Sequence, residues 1–141
     1  MNMKYVFEML NEVKAAKSSE DKIATLKKYN FVWALKDVLK GTYDTSLEWV
    51  IPKGKPPFEP NQGHNAPANL LQEHKQFKYF VKGKPSNELT KVRREMLYIK
   101  LLESVHPEDA EVVINMTIGK KISGIPKTIV EKAFPGLISE T

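Results

Sequence analysis

Five prolines and two glycines crowd the sixteen residues from Pro52 to Pro67, and no regular element survives that density. Proline fixes φ and lacks an amide donor, so it ends helices and is expelled from the middle of sheets. Just before this segment Leu47, Trp49 and Ile51 alternate, which suits a short extended piece. Residues 42–67 are therefore read as one long loop. A loop of this length inside a compact domain is usually functional or disordered.

On both sides of the loop the apolar residues recur at helical spacing. Val6, Phe7, Leu10, Val13 and Ala16 predict a first amphipathic helix. Ser18 or Ser19 caps a second, with Glu20 and Asp21 in its first turn and Ile23, Leu26 and Tyr29 on its buried stripe. A third follows Asn30 and buries Val32, Leu35, Val38 and Leu39, with Gly41 ending it as the C′ residue. Trp33 lies off that stripe, either packed on a neighbour or free as a surface contact.

Beyond the loop a helix is predicted over residues 68–82, with Leu70, His74, Phe77 and Val81 on one face and Gly83 at its end. The next follows Asn87 or Thr90 and buries Leu89, Val92, Met96, Ile99 and Leu102. It leaves Lys91, Arg93, Arg94 and Lys100 outside. Pro107 at N1, with Glu108 and Asp109 behind it, opens a helix whose core residues are Val112, Val113 and Met116. The last runs from Pro126 to about Phe134. The expected fold is all-α, a single compact domain over residues 1–141 with about six or seven helices and the Pro-rich loop inside it.

Composition narrows the class. With 41% hydrophobic and 28% charged residues in 141, the chain supports one globular core and is not a disordered sequence. A net charge of +5 and a pI near 9.3 favour nucleic acid or another acidic surface as partner. There are no cysteines, which excludes disulfides and thiolate metal sites and fits a reducing compartment. Glu8 and Glu12 interrupt the N-terminus before an apolar run long enough for a signal peptide, and no segment approaches a membrane span. A cytoplasmic location with no membrane partner is expected. Residues 68–105 carry eight Lys/Arg against four Asp/Glu, and residues 1–40 carry eight against five, so two basic blocks are available to form a face.

Catalytic patterns are sparse. His64, His74 and His106 lack metal-ligand spacing, and no carboxylate pair completes a set. There is no G-x-x-x-x-G-K-[ST] loop, and no serine sits in a nucleophile elbow. Glu12-Val13-Lys14 and Glu73-His74-Lys75 match the E-x-K fragment of metal-dependent nucleases, but both fall on predicted helices. Neither an enzymatic activity, a cofactor nor a metal is expected.

The stretch Gly119 to Ile138, GKKISGIPKTIVEKAFPGLI, carries the clearest binding signal. Gly119 and Gly124 let backbone approach a partner closely, and a helix start beside them offers free N–H groups to an anion. Lys120, Lys121 and Lys127 flank that opening. A phosphate backbone suits this combination, the alternative being a plain connection with solvated lysines. A second run, His74 to Lys84, interleaves lysines with Phe77, Tyr79 and Phe80. Its phenylalanines read as core, while Lys75, Lys78, Lys82 and Tyr79, with Arg93 and Arg94 from the next helix, form a second candidate basic surface.

Taken together, the chain resembles the N-terminal DNA-binding domain of ATP-dependent DNA ligases, most closely those of tailed phages. Met9-Leu10-Asn11-Glu12-Val13 is similar to that family's opening helix, and LKDVLKGTY from Leu35 to Tyr43 to the helix leading into its T-Y pair. Ile51-Pro52-Lys53 resembles the extended segment that follows, and Asp109 to Val113 the helix before the DNA-contacting turn. The strongest likeness is Ile129, Lys132 and Phe134 ahead of Pro135-Gly136-Leu137-Ile138. Small stand-alone phage proteins of unassigned function look similar too. Asn115-Met116-Thr117 departs from the family's Arg-Asp-Leu lead, losing a basic residue. No K-x-D-G occurs, so no lysine is placed to carry AMP.

The resemblance implies an all-helical domain that grips duplex DNA by its backbone, without ligase chemistry. The expected function is that of a non-enzymatic, largely sequence-independent accessory protein of phage DNA replication, repair or recombination. The alternative is a module docking on a phage or host replication or transcription protein, such as a sliding clamp, through the Pro-rich loop or through Trp33 and Trp49.

Overall fold

The computed structural model describes residues 4–63 and 66–138, and among these every regular element is helical. The order is α1 (Val6–Ala15), α2 (Ser19–Lys28), α3 (Trp33–Tyr43), α4 (Leu70–Glu73) running into a 3₁₀ helix (His74–Tyr79), α5 (Lys84–Asn87), α6 (Lys91–Ser104), α7 (Pro107–Thr117) and α8 (Lys127–Ala133). The chain is thus an all-α domain. Among the described residues extended pairing is confined to one antiparallel bridge, Trp49 with Val81, where Val50 N–H donates to Phe80 O at 2.7 Å and Lys82 N–H to Glu48 O at 2.8 Å. No described helix is long and apolar enough to cross a membrane.

The first half follows its local signals. Ser18 caps α2 by accepting from Asp21 N–H at 3.1 Å, with Glu20 and Asp21 in the first turn and Lys27 and Lys28 in the last, complementing the helix dipole. At the start of α1, Glu8 accepts from Tyr5 N–H, and Asp109 reaches from α7 to accept from Phe7 N–H at 2.9 Å. Val6, Met9, Leu10 and Val13 of α1 meet Leu26, Leu35, Val38 and Leu39 in one continuous core. α3 crosses the middle of the domain, packing on α7, on α4 and on α1, while α2 packs on α8.

Three expectations are corrected. Gly41 does not end α3, which continues to Tyr43. A Cβ at Gly41 would lie 2.6 Å from Met116 Sδ and 2.9 Å from Trp49 Cζ2, so the glycine admits neighbours that close onto the helix. The helix expected over residues 68–82 is a single α-turn followed by a 3₁₀ helix. With three residues per turn, His74 and Phe77 share a buried face, and Lys75 and Lys78 share an exposed one. Gly83 caps the start of the short α5 instead of closing the earlier helix.

α6 begins at its predicted cap, Thr90, which accepts from Arg93 N–H. Its buried stripe, however, is Tyr98, Leu101 and Leu102, while Val92 and Met96 stand 66% and 59% exposed. Only the C-terminal half of α6 has α7 to pack against, so the N-terminal apolar residues find no cover among the described residues. The Pro-rich loop is tied down across the α6–α7 corner. Asn61 Nδ2 donates to Glu103 O and Val105 O, Glu59 N–H donates to Glu103 Oε2, and Lys55 pairs with Glu111 at 2.9 Å.

Candidate functional site

The connection from α7 to α8 is built by two successive stops and one anchor. Gly119 adopts φ 72° and ends α7 in a Schellman motif: its N–H donates to Met116 O at 3.1 Å, and Lys120 N–H to Asn115 O at 3.0 Å. Ile122 to Ile125 then forms a tight turn, closed by Ile125 N–H on Ile122 O at 3.0 Å, with Gly124 at φ 86° in the third position. A positive φ there is the mark of a type II turn and is open to glycine at no steric cost. Tyr43 anchors the turn from the end of α3. Its buried hydroxyl donates to Ile125 O at 2.6 Å and accepts from Ile122 N–H at 2.9 Å, and burial holds its pKa above the ordinary phenol value.

Gly119 therefore acts differently from expectation. The amides of Gly119 and Lys120 are consumed by α7 and are closed to an anion. Those of Lys121, Ser123 and Gly124 have no hydrogen-bond partner among the described residues. α8 is seven residues long, too short to make much of its dipole.

Around this turn gather lysines from two ends of the chain. Lys120 and Lys121 are exposed, and Lys127 is half-buried in the first turn of α8. Lys22 of α2 donates to Gly124 O at 2.8 Å, and the aliphatic stem of Lys14 from α1 lies under Gly124, where an added Cβ would meet Lys14 Cγ at 3.4 Å. Lys14 and Lys120 also line one small cavity of about 60 Å³ beside Asn115 and Ile122. None of these five lysines forms an ion pair among the described residues. Sequence reasoning missed Lys14 and Lys22, which adjoin the turn only through the packing of α1 and α2 on it.

The second candidate surface separates into parts. Lys75, Lys78 and Lys82 border an open cleft of about 540 Å³ between α3 and residues 74–85. Arg93 lies apart from them, on a separate cleft of about 580 Å³ beside Glu73 and Lys100. Arg94 does not project at all. Its guanidinium donates to the carbonyls of Val50, Ser86 and Leu89 at 3.1–3.4 Å, so it is a structural clamp between α6 and the bridge segment.

The carboxylates of the E-x-K fragments are engaged elsewhere. Glu12 accepts from Lys4, Lys28 and Tyr29, and those hydrogen bonds, Lys28 foremost, hold its carboxyl down to about 2. Gln76 donates to Glu73. Among the described residues no group of three or more His, Asp or Glu is arranged to hold a metal ion. His64 lies outside the described residues, His74 pairs with Asp37, and His106 caps α7 by accepting from Glu108 N–H.

No curated protein matches the chain. Residues 9–123, well over half of its length and ending within the Gly124 turn, match a family described as a family of unknown function, DUF6433. The protein belongs to that family.

Proposed function

We propose that this protein binds duplex DNA through the phosphate backbone, largely without regard to sequence, and has no enzymatic chemistry of its own. One observation carries the reading: a Tyr43-pinned turn that presents amides without a partner among the described residues and is ringed by Lys14, Lys22, Lys120, Lys121 and Lys127, none of them in an ion pair with a described carboxylate. Phosphate oxygens take such contacts from lysines and backbone N–H groups, and they position a protein on DNA without reading its bases. A rigid turn keeps the ordering cost of binding low. The likeness to the DNA-binding domain of phage-type ligases points the same way, toward an accessory role in phage DNA replication, repair or recombination inside the host cytoplasm.

The test is a double charge reversal, Lys120→Glu with Lys121→Glu, assayed by fluorescence anisotropy on labelled duplex. Both residues are exposed, so the variant is expected to fold, which circular dichroism checks. Loss of binding by the folded variant supports the reading, and retained binding refutes this location.

A second reading is favoured by Phe31 and Trp33, which are 72% and 62% exposed at the start of α3. Such a patch suits docking on a replication or transcription protein. The other elements considered for that role are less free. The Pro-rich loop is strapped to α6, and Trp49 is half-buried with its Nε1 donating to Gly41 O at 3.2 Å. Protein docking predicts salt-tolerant association and weak DNA binding.

A further inference from the structure

The cleft between α3 and residues 74–85 lies outside the basic turn and has its own chemistry. Its floor is apolar, built from Leu47, Trp49, Phe77 and Val81. Trp49 and Phe77 meet edge to face, with centroids 6.3 Å apart and planes at 76°, and the Trp49 bond to Gly41 O fixes the indole against α3. At about 540 Å³ the space falls in the range that holds small organic ligands.

The rim is cationic. Lys75 and Lys78 are exposed and in no ion pair among the described residues, Lys78 lying over the Tyr79 ring at 5.3 Å from its centroid, and Lys82 has a 3.7 Å contact with exposed Glu48. Lys40 is committed to Asp44 and to Leu137 O. Among the described residues the one carboxylate lining the cleft, Asp37, accepts from His74 Nδ1 at 2.5 Å. The 3₁₀ geometry of residues 74–79 matters here. Residues three apart eclipse at a rise of about 2.0 Å each, so Lys75 and Lys78 stand in register, about 6 Å apart along the axis. That is a row of cations beside a fixed aromatic floor, the combination that holds single-stranded nucleic acid by phosphate contact and base stacking.

We infer that this cleft takes unpaired nucleotides of a DNA strand, a single-stranded end or flap continuing from the duplex. The inference rests on the duplex-binding reading and extends it to the kind of DNA preferred. A phosphodiester strand fits better than an acidic peptide, because Lys75 and Lys78 stand in register beside a floor that holds Trp49 and Phe77.

The test compares a blunt labelled duplex with the same duplex bearing a six-thymidine overhang on either strand, and with free octathymidine. The protein carries Trp33→Phe, which leaves Trp49 as the remaining tryptophan of the two in the chain. Stacking of even one base predicts at least about fivefold tighter binding to one tailed duplex, with quenching of Trp49 emission. Lys75→Glu with Lys78→Glu removes that gain and leaves blunt-duplex affinity in place. Equal affinity for tailed and blunt duplex overturns the inference and leaves the duplex reading standing. Failure of the blunt duplex, with the tailed duplex and octathymidine still bound and quenching Trp49, overturns the duplex reading and upholds the cleft. Failure of all three overturns both. Displacement of octathymidine by a Glu- and Phe-containing octapeptide at equal concentration reassigns the cleft to a protein partner and overturns the nucleotide assignment.

Discussion

Removing one oxygen from Tyr43 tests how the candidate interface is held. The hydroxyl is the common partner of Ile122 N–H and Ile125 O, and Tyr43 and Ile125 are 7% and 0% exposed. In Tyr43→Phe the ring still fills its place, but a buried carbonyl and a turn amide lose their partner together. Each hydrogen bond is worth about 1 kcal/mol net, and a buried group left unsatisfied costs about 1–3 kcal/mol. Ile122 is only half-buried and regains water, so the total is about 2 kcal/mol, near a thirtyfold loss in the folding equilibrium. Urea unfolding followed by circular dichroism measures it as a lower midpoint at unchanged slope. Amide exchange at Ile122 rises in parallel, and duplex affinity falls because the turn is no longer held in one geometry. Tyr98→Phe is the control. Its 3.2 Å partner, Thr117 Oγ1, also donates to Ile114 O, so the loss stays below about 1 kcal/mol. A Tyr43→Phe protein as stable as the parent, with unchanged exchange at Ile122, refutes the claim that this hydroxyl organises the turn.

Gly41→Ala forces a methyl against Met116 and the Trp49 ring and is expected to cost about 1–3 kcal/mol in thermal or urea unfolding, with a shifted Trp49 emission. Asp109 is fully buried, and burial raises its carboxyl from 3.8 to about 6, with Oδ2 left unpartnered. The folded state therefore holds the proton more tightly than the unfolded chain, and this group's contribution is full below pH 3.8 and lost as pH rises through about 6. Asp109→Asn keeps an acceptor for Phe7 N–H and is expected to flatten that fall, gaining up to about 3 kcal/mol at neutral pH in unfolding titrations. An unchanged pH profile would refute the assignment. Arg94→Ala strips donors from three carbonyls and is expected to lose about 1–3 kcal/mol of stability with little change in duplex affinity once folded, separating it from the exposed lysines.

Much of the helical order was legible because caps and periodicity agree in α1, α2 and α7, where Ser18, Pro107 and the acidic first turns mark the starts. What failed has identifiable causes. His74, Phe77 and Phe80 repeat every three residues, a 3₁₀ period that also satisfies part of a 3.6 pattern, so the segment passed for an α-helix. On α6, Val92, Met96 and Ile99 compete with Tyr98 and Leu101 for the stripe that Leu102 completes, and only the location of α7 decides between them. Gly41 carries the same local signature as a helix stop, and its reason for being glycine lies in Met116, far along the chain. At the candidate site, Lys120, Lys121 and Lys127 are visible as a run. Lys14, Lys22 and Tyr43 are not, because they join it through tertiary packing, and Arg94 misleads because charge alone does not reveal three carbonyls waiting for it.

The central claim is duplex binding by the lysines around the Gly124 turn, and the salt dependence of duplex affinity tests it most directly. If Lys14, Lys120, Lys121 and Lys127 neutralise about four phosphates, the slope of log K against log salt is about −3.6, a loss of about 10²-fold between about 50 and 200 mM salt. Fluorescence anisotropy on an intact labelled duplex reads this directly, and charge reversal at Lys120 and Lys121 should reduce both affinity and slope. An undetectable complex at the lowest salt, or one whose affinity is indifferent to salt, contradicts the account.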